Sequence, residues 1–383
     1  LTTTHGQLRA MNRVVAEERR PEKDFAALLQ AVARLEGWQA GDPFADITVG
    51  GPLTPAPVES MDSDFEELCE VVRESVIGSE LALDTPYGRK RMIYADYTAS
   101  GRCLSFIEDY LREQVMPLYA NTHTEASTTG LQTTRFREEA REIVARSVGA
   151  SGDDEVVFVG SGATGGINRM VDLLGMRLPL GQTESPLSKE QRPVVFIGPY
   201  EHHSNILPWR SSAADVVEIP VDEDCSIDLA SLEQALEDHA DRPLRIGSFS
   251  AGSNVTGIAS DVDRIAQLLH RHGALSFWDY AAAGPYVPID MNPPADDAYK
   301  DAVFISPHKF VGGPGTPGVL VLKKALVQHA VPTQPGGGTV DFVTASETLY
   351  SDSIAHREEA GTPAIIESIR CGLVFQLKEQ ACL

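Results

Sequence analysis

The chain carries a series of short apolar runs, separated by longer segments that have one apolar face. Each run is four to six residues long and nearly unbroken, which predicts strands buried on both faces of a sheet. The runs are Val156–Val159, Val194–Ile197, Val216–Ile219, Leu244–Phe249, Ala274–Trp278, Ala302–Ile305 and Val319–Leu322. Because helical segments lie between them, the pattern predicts an α/β fold with a mostly parallel sheet and helices on both faces.

Two of the intervening segments show a clear helical period. Apolar residues recur from Phe136 to Val148, and again from Val262 to Leu269, at the spacing of one helix face. Gly149 and Gly273 follow these segments and predict helix ends, because glycine readily adopts the left-handed conformation found there.

The first 92 residues differ in character from the rest of the chain. Leu8–Leu35 and Phe65–Ile77 have helical patterning, and a long connection rich in glycine and proline separates them. The regular alternation of strands and helices begins only after Met92. We therefore treat residues 1–92 as an N-terminal extension with a helical segment.

Composition and charge narrow the kinds of partner. The 383 residues carry a formal net charge of −23, which argues against a nucleic-acid partner. No apolar run approaches the roughly 20 residues of a membrane helix, so we expect no membrane association. The five cysteines form neither a C-x-x-C motif nor a paired framework, which favours a reducing cytoplasm, and no ligand set predicts a metal.

The stretch "EVVFVGSGATGGINRM" (155–170) is a strand followed by a glycine-rich turn and a predicted helix, an arrangement that can hold a phosphate. A dinucleotide site needs an acidic residue about 20 positions on, at the end of the next strand, but Glu184 precedes that strand and Asp172 is predicted to be helical. No lysine follows the glycines, so a Walker loop does not fit either. A turn without any ligand remains the third alternative.

Lys309 and Asp279 change this interpretation. Each follows a predicted buried strand, and ligands of parallel α/β sheets bind beyond the carboxyl ends of the strands. A partly buried lysine can form a Schiff base, and a buried aspartate needs a cationic partner such as a pyridinium nitrogen. Together they fit pyridoxal 5'-phosphate (PLP). The alternatives are an exposed loop lysine and an aspartate that caps a helix or binds a backbone N–H group.

Two further polar residues also follow predicted strands. His202, in "GPYEHHSNILPW", could stack on an aromatic ring or move protons, or it could be a surface histidine. Asn254, in "SFSAGSNVTGI", could donate its amide to a phenolic oxygen.

Taken in order, these segments resemble the class V, fold-type I PLP enzymes, most closely the cysteine desulfurases and selenocysteine lyases. The similar segments are "YADYTASG" (94–101), "YANTHTEAS" (119–127), "GSGATGGIN" (160–168), "EHHSNILPW" (201–209), "SNVTG" (253–257), "WDYAAAG" (278–284), "SPHK" (306–309), "PGGGTV" (335–340) and "REEAGTP" (357–363). The resemblance implies a seven-stranded, mostly parallel sheet in a large PLP-binding domain (93–345). The start of a small domain, largely missing from this chain, would follow (346–383).

The resemblance also implies roles for individual residues. Lys309 would form the Schiff base and shuttle the Cα proton, Asp279 would keep the ring nitrogen protonated, and His202 would stack on the ring. The other cofactor-binding residues would be Gly162, Ala163, Thr164, Ser306 and His308 at the phosphate, Asn254 near the ring oxygen, and Thr339 from the partner subunit of a homodimer. The substrate side would be lined by Asn121, His123 and Arg357.

The chain departs from the family pattern at a few positions. Ala282 stands where desulfurases usually carry glutamine, and Ala163 replaces a common threonine. Cys371 and Cys382 do not match the loop of the desulfurase nucleophile, which we expect to lie beyond Leu383 together with the arginine that binds the substrate carboxylate.

The sequence therefore predicts a PLP-dependent lyase or transferase that acts on a small amino acid with cysteine-desulfurase or C–S lyase chemistry. A sulfur-acceptor protein is a candidate partner. A class V aminotransferase or epimerase is the alternative. An inactive scaffold of the same fold and a dinucleotide-binding oxidoreductase are further ones.

Overall fold

The structure is a computed structural model that describes residues 61–122 and 126–381. The predicted helix at Leu8–Leu35 lies outside these residues, as do His123 and Cys382. The strands are β1 Ala82–Thr85, β2 Gly88–Arg91, β3 Asp154–Val159, β4 Val194–Ile197, β5 Asp215–Glu218, β6 Arg245–Ser250, β7 Leu275–Asp279, β8 Ala302–Ile305, β9 Gly318–Lys323, β10 Val340–Val343 and β11 Thr348–Tyr350.

The α-helices cover both faces of the sheet and the region before it. They are α1 Met61–Ser75, α2 Ser105–Tyr110, α3 Thr128–Ser147, α4 Gly162–Leu173, α5 Leu207–Arg210, α6 Leu229–Asp238, α7 Val262–Arg271, α8 Ile354–Glu358 and α9 Ile365–Gln380. Helix α2 continues through a π turn at Leu111–Val115 and a 3-10 turn at Met116–Leu118. Among the described residues, no helix is both long and apolar enough to span a bilayer.

Seven strands form the central sheet in the order β3-β9-β8-β7-β6-β4-β5. All seven predicted apolar runs form these strands, with bounds shifted by at most two residues. Neighbours pair in parallel from β5 to β8, whereas β9 runs antiparallel to both β8 and β3. Strand β3 consequently points in the same direction as the parallel strands.

Alternate strand residues point to opposite faces, and both faces are buried, as the unbroken apolar runs predict. Val156, Phe196 and Trp278 belong to the core on one face, and Val157, Ile197 and Phe277 to the core on the other. Gly149 and Gly273, the predicted helix ends, have φ angles of +62° and +66°.

Helix α9 packs directly against α3, because Gly372 lets the two backbones approach. A Cβ atom at Gly372 would lie 2.7 Å from Cα of Ala140. Phe375 of the same helix contacts Phe310, with ring centroids 5.0 Å apart. This helix lies in the segment 346–383, which we predict to be the start of the small domain, and it packs against the main core. The predicted domain boundaries themselves stay a prediction.

Candidate active site

The carboxyl ends of β3, β4, β6, β7 and β8 lie along one edge of the sheet, and a cavity of about 320 Å³ opens there. The last residue of each of these strands or the turn after it contributes a polar residue, and the segment before β9 contributes one more. The lining residues are Ser161, Gly162, Ala163, Thr164, His202, Ser204, Ser250, Gly252, Asn254, Asp279, Ala281, Ala282, Ser306, His308, Lys309 and Thr316. Nine of the ten predicted cofactor-binding residues are among them.

The glycine-rich turn joins β3 to the first turn of α4. Gly162 has a φ angle of +54°, and a Cβ atom there would lie 2.6 Å from Ser306 Oγ. The N–H group of Ala163 donates to that same oxygen over 2.8 Å. Gly318, the first residue of β9, lies so close that its Cβ atom would be 2.2 Å from the Gly162 carbonyl oxygen. The backbone of the turn is therefore fixed by its neighbours, with the N-terminal dipole of α4 directed at the cavity.

Asp279 is the last residue of β7, Lys309 lies in the 3-10 turn after the adjacent strand β8, and both line this cavity. Asp279 is only 3% exposed, and its Oδ1 accepts the N–H of Ala281 over 2.8 Å. Burial raises the pKa of Asp279 to about 6, although the nearby Lys309 opposes this rise. Burial also lowers the pKa of Lys309. Within the described part of the chain, the two side chains make no contact ion pair, either with each other or with another residue.

His202 caps the short 3-10 helix His203–Asn205, where the cavity-lining residue Ser204 lies. The backbone N–H of Ser204 donates to His202 Nδ1 over 3.2 Å, and Ser204 Oγ lies 3.0 Å from the same nitrogen. Thr164 in turn donates its hydroxyl to Ser204 Oγ over 2.7 Å. The pKa of His202 is lowered by burial first, and then by the positive charges of Lys309 and His203.

His308 and Asn254 complete the cavity wall. His308 Nδ1 lies 3.1 Å from Ser100 Oγ, and burial lowers the pKa of His308. Asn254 is exposed on the turn after β6, so its amide is accessible from the cavity.

Several predicted residues do not line the cavity of this chain. Thr339 is fully buried, and its hydroxyl donates to the carbonyl of Gly336 over 2.7 Å. Asn121 Nδ2 lies 3.5 Å from Thr362 Oγ1, and Arg357 donates to the carbonyl of Ser351. The roles of Thr339, Asn121 and Arg357 therefore stay predictions, and His123 lies outside the described residues.

Glu201, which was not identified from the sequence, is an acidic residue behind the cavity wall whose pKa is shifted strongly from its ordinary value. Its carboxylate accepts hydrogen bonds from the N–H and Oγ of Ser250, at 2.8 and 2.7 Å, and from the Asn205 amide at 2.6 Å. Burial, together with a smaller contribution from the charge of Asp279, nevertheless raises the pKa of Glu201 to about 7. Its position beside the predicted histidine was the only signal for it in the sequence.

Glu201 is expected to make stability fall with rising pH, because its folded-state pKa lies above its value in the unfolded chain. The stabilising contribution is complete below about pH 4.5 and is lost as the pH rises to about 7. Between about pH 5 and about pH 8, the unfolding free energy of Glu201→Gln should fall by about 2 to 3 kcal/mol less than that of the wild type. Urea unfolding at the two pH values measures this difference.

The exposed Glu223 provides the control, since Glu223→Gln should retain the pH dependence of the wild type. A Glu201→Gln variant with an unchanged pH dependence would show that Glu201 does not titrate in this range.

None of the cysteines in the described part of the chain lines the cavity. Cys69, Cys103, Cys225 and Cys371 are all free thiols. Cys371 is fully buried in α9, and burial raises the pKa of its thiol, so it stays protonated and unreactive. The described residues therefore place no nucleophilic thiol in this cavity.

Comparison with known proteins identifies the family to which the chain is similar. The family model for class-V aminotransferases matches residues 93–382. A probable cysteine desulfurase of Halalkalibacterium halodurans is 29% identical over 305 residues, which are 78% of this chain and 69% of that protein. A probable cysteine desulfurase of Staphylococcus epidermidis is 31% identical over 304 residues, covering 77% of this chain and 68% of that protein.

A solved structure shows the same fold. The apo structure of a cysteine desulfurase from Thermococcus onnurineus NA1 superposes with a TM-score of 0.65 at 23% identity, covering 81% of this chain and 70% of that one. The chain spans about two thirds of the length of the curated relatives it matches. With a family match over most of its length and a cavity at the expected strand ends, the chain belongs to the class-V aminotransferase family.

Proposed function

We propose that this protein is a PLP-dependent enzyme that removes sulfur from cysteine or a closely similar amino acid. The proposal rests mainly on the buried Asp279 and the half-buried Lys309, which line one cavity without an ion pair between them. Relatives named as probable cysteine desulfurases support sulfur chemistry over other reactions of the family.

The residues of the cavity fit the cofactor in three respects. Asp279 Oδ2 has no hydrogen-bond donor among the described residues, so a cationic ring nitrogen would satisfy a buried carboxylate. The turn at Gly162 leaves no room for a side chain and directs the N-terminus of α4 at the cavity, where a phosphate is stabilised. Thr316 has a buried hydroxyl without a partner among the described residues.

Each of the main cavity residues would have a separate role in the reaction. When bound, PLP supplies an aldehyde that captures amines and a conjugated ring that stabilises negative charge at the substrate Cα. Lys309 would hold the cofactor and move the Cα proton, since its lowered pKa makes the neutral amine accessible. Asp279 would keep the ring nitrogen protonated, and His202 would lie against the ring.

We also propose the homodimer and the cytoplasmic location that the sequence suggests. The hairpin β10–β11 follows Thr339 and exposes Phe342, Val343 and Leu349, which supports contact with a second copy. The four described cysteines are all unpaired, as expected in a reducing compartment. A sulfur-acceptor protein would receive the product.

The decisive experiment incubates the PLP-loaded protein with L-cysteine and an excess of dithiol reductant. A desulfurase should give alanine and sulfide in equal amounts, with the reductant supplying the electrons that convert the released sulfur to sulfide. A C–S lyase should instead give sulfide, pyruvate and ammonia without consuming reductant. A 2-oxo acid formed without sulfide would contradict sulfur removal and favour an aminotransferase.

A further inference from the structure

Thr164, Ser204 and His202 form a hydrogen-bonded chain that links the glycine-rich turn to the predicted ring-stacking histidine. The oxygens of Thr164 and Ser204 are 2.7 Å apart, and Ser204 Oγ is 3.0 Å from His202 Nδ1. Thr164 belongs to α4 and His202 to the loop after β4, so these hydrogen bonds join two separate elements through the side chain of Ser204.

The donor and the acceptor of each of these hydrogen bonds follow from a second contact of His202, with the backbone N–H of Ser204. The backbone N–H of Ser204 can only donate, so His202 Nδ1 is the acceptor and carries no proton. Ser204 must then use its own hydroxyl hydrogen towards Nδ1, and its oxygen accepts the hydroxyl hydrogen of Thr164. The proton of the neutral ring therefore sits on Nε2.

We propose that Ser204 is a positioning residue that fixes the tautomer and ring orientation of His202 and ties them to the state of the glycine-rich turn. Thr164 has a single hydroxyl hydrogen, which it gives to Ser204. If a bound phosphate accepts the hydroxyl hydrogen of Thr164, the hydrogen bond from Thr164 to Ser204 must break. Binding at the turn is thus coupled to the hydrogen bonding of the histidine.

The histidine can be examined in the cofactor-free protein, so this test does not depend on the proposed reaction. The side-chain nitrogens of ¹⁵N-histidine-labelled protein are titrated by NMR, and the His202 signal is assigned from its absence in His202→Gln. In Ser204→Ala, a donor to Nδ1 is lost while Lys309 and His203 remain as the neighbouring charges. The His202 pKa should rise, and Ser204→Thr, which keeps the hydroxyl, should restore it.

Ser250→Ala is the matched control, because Ser250 lines the same cavity but bonds to Glu201 and not to His202. Its His202 pKa should equal that of the wild type. An unchanged His202 pKa in Ser204→Ala, or an Nδ1–H tautomer in the wild type, would overturn the proposal.

Affinity for PLP tests the coupling to the turn, and here the proposal rests on the proposed function. Thr164→Val should weaken PLP binding by about 5- to 10-fold, the effect of one lost hydrogen bond. Ser204→Ala should bind PLP at least as tightly as the wild type, because this variant has no hydrogen bond from Thr164 to residue 204 that binding would break. Weaker binding of PLP by Ser204→Ala would contradict the coupling. A wild-type protein that fails to bind PLP would instead contradict the proposed function. In that case the NMR titration alone would decide the role of Ser204.

Discussion

Lys309→Ala is expected to abolish sulfur release from L-cysteine, lowering kcat/KM by a factor on the order of 10³ or more. The side chain is the amine that reaches the cavity from the carboxyl end of β8, and its burial lowers its pKa towards the range where a neutral amine is available. The visible absorbance band of the lysine-bound cofactor should disappear from the same variant. Alanine and sulfide formation, measured beside the absorbance spectrum, check both expectations.

Two control variants separate the amine from the charge. Lys309→Arg keeps a cation near Asp279 but cannot act as a neutral nucleophile, so it should be as inactive as Lys309→Ala. Lys90→Ala removes an exposed lysine of the β1–β2 hairpin and should leave activity unchanged. Sulfur release by Lys309→Ala within about tenfold of the wild type would exclude Lys309 as the catalytic amine.

Asp279→Asn should have opposite effects on activity and on stability. Loss of the carboxylate removes the partner of a protonated ring nitrogen, so we expect kcat/KM to fall by about 10²- to 10³-fold. The asparagine keeps the volume and can still accept the N–H of Ala281. The cofactor-free variant should be more stable than the wild type at about pH 8, by about 2 to 3 kcal/mol.

The sign of the stability effect follows from the raised pKa. Asp279 has a pKa of about 6 in the folded protein, so its stabilising contribution is present below about pH 4 and is lost as the pH rises to about 6. An asparagine does not titrate, and the gap between variant and wild type should open over that range. Urea unfolding across it measures the gap.

Asp228 offers a contrasting control, because it caps α6 by accepting the N–H groups of Ala230 and Ser231. Asp228→Asn should be no more stable than the wild type at about pH 8, since a charge that favours the helix N-terminus is lost. If Asp279→Asn were also less stable than the wild type there, the buried carboxylate would not be the unfavourable group that we infer.

The strands and the site-bearing turns were accessible from the sequence because local pattern determines them. A strand buried on both faces must be apolar at nearly every position, so its end is marked where polar residues begin. Lys309, Asp279 and His202 stand just beyond such ends, and parallel strands bring those ends to one edge. Gly162 was recognisable because a glycine-rich turn between a strand and a helix is a local sequence pattern.

The tertiary structure decided what depends on which strands are neighbours. The sequence predicted a mostly parallel sheet but not that β9 reverses direction, which brings Gly318 against Gly162. The Glu201 carboxylate lies behind the cavity wall and has a raised pKa because β6, which supplies Ser250, lies next to β4. Ser204 connects Thr164 to His202 only because α4 and the loop after β4 meet. Hydrophobic periodicity is a property of adjacent residues, whereas the contacts of Gly318 with Gly162, of Ser250 with Glu201 and of Thr164 with Ser204 join residues 40 or more positions apart, and the order of the strands in the sheet brings them together.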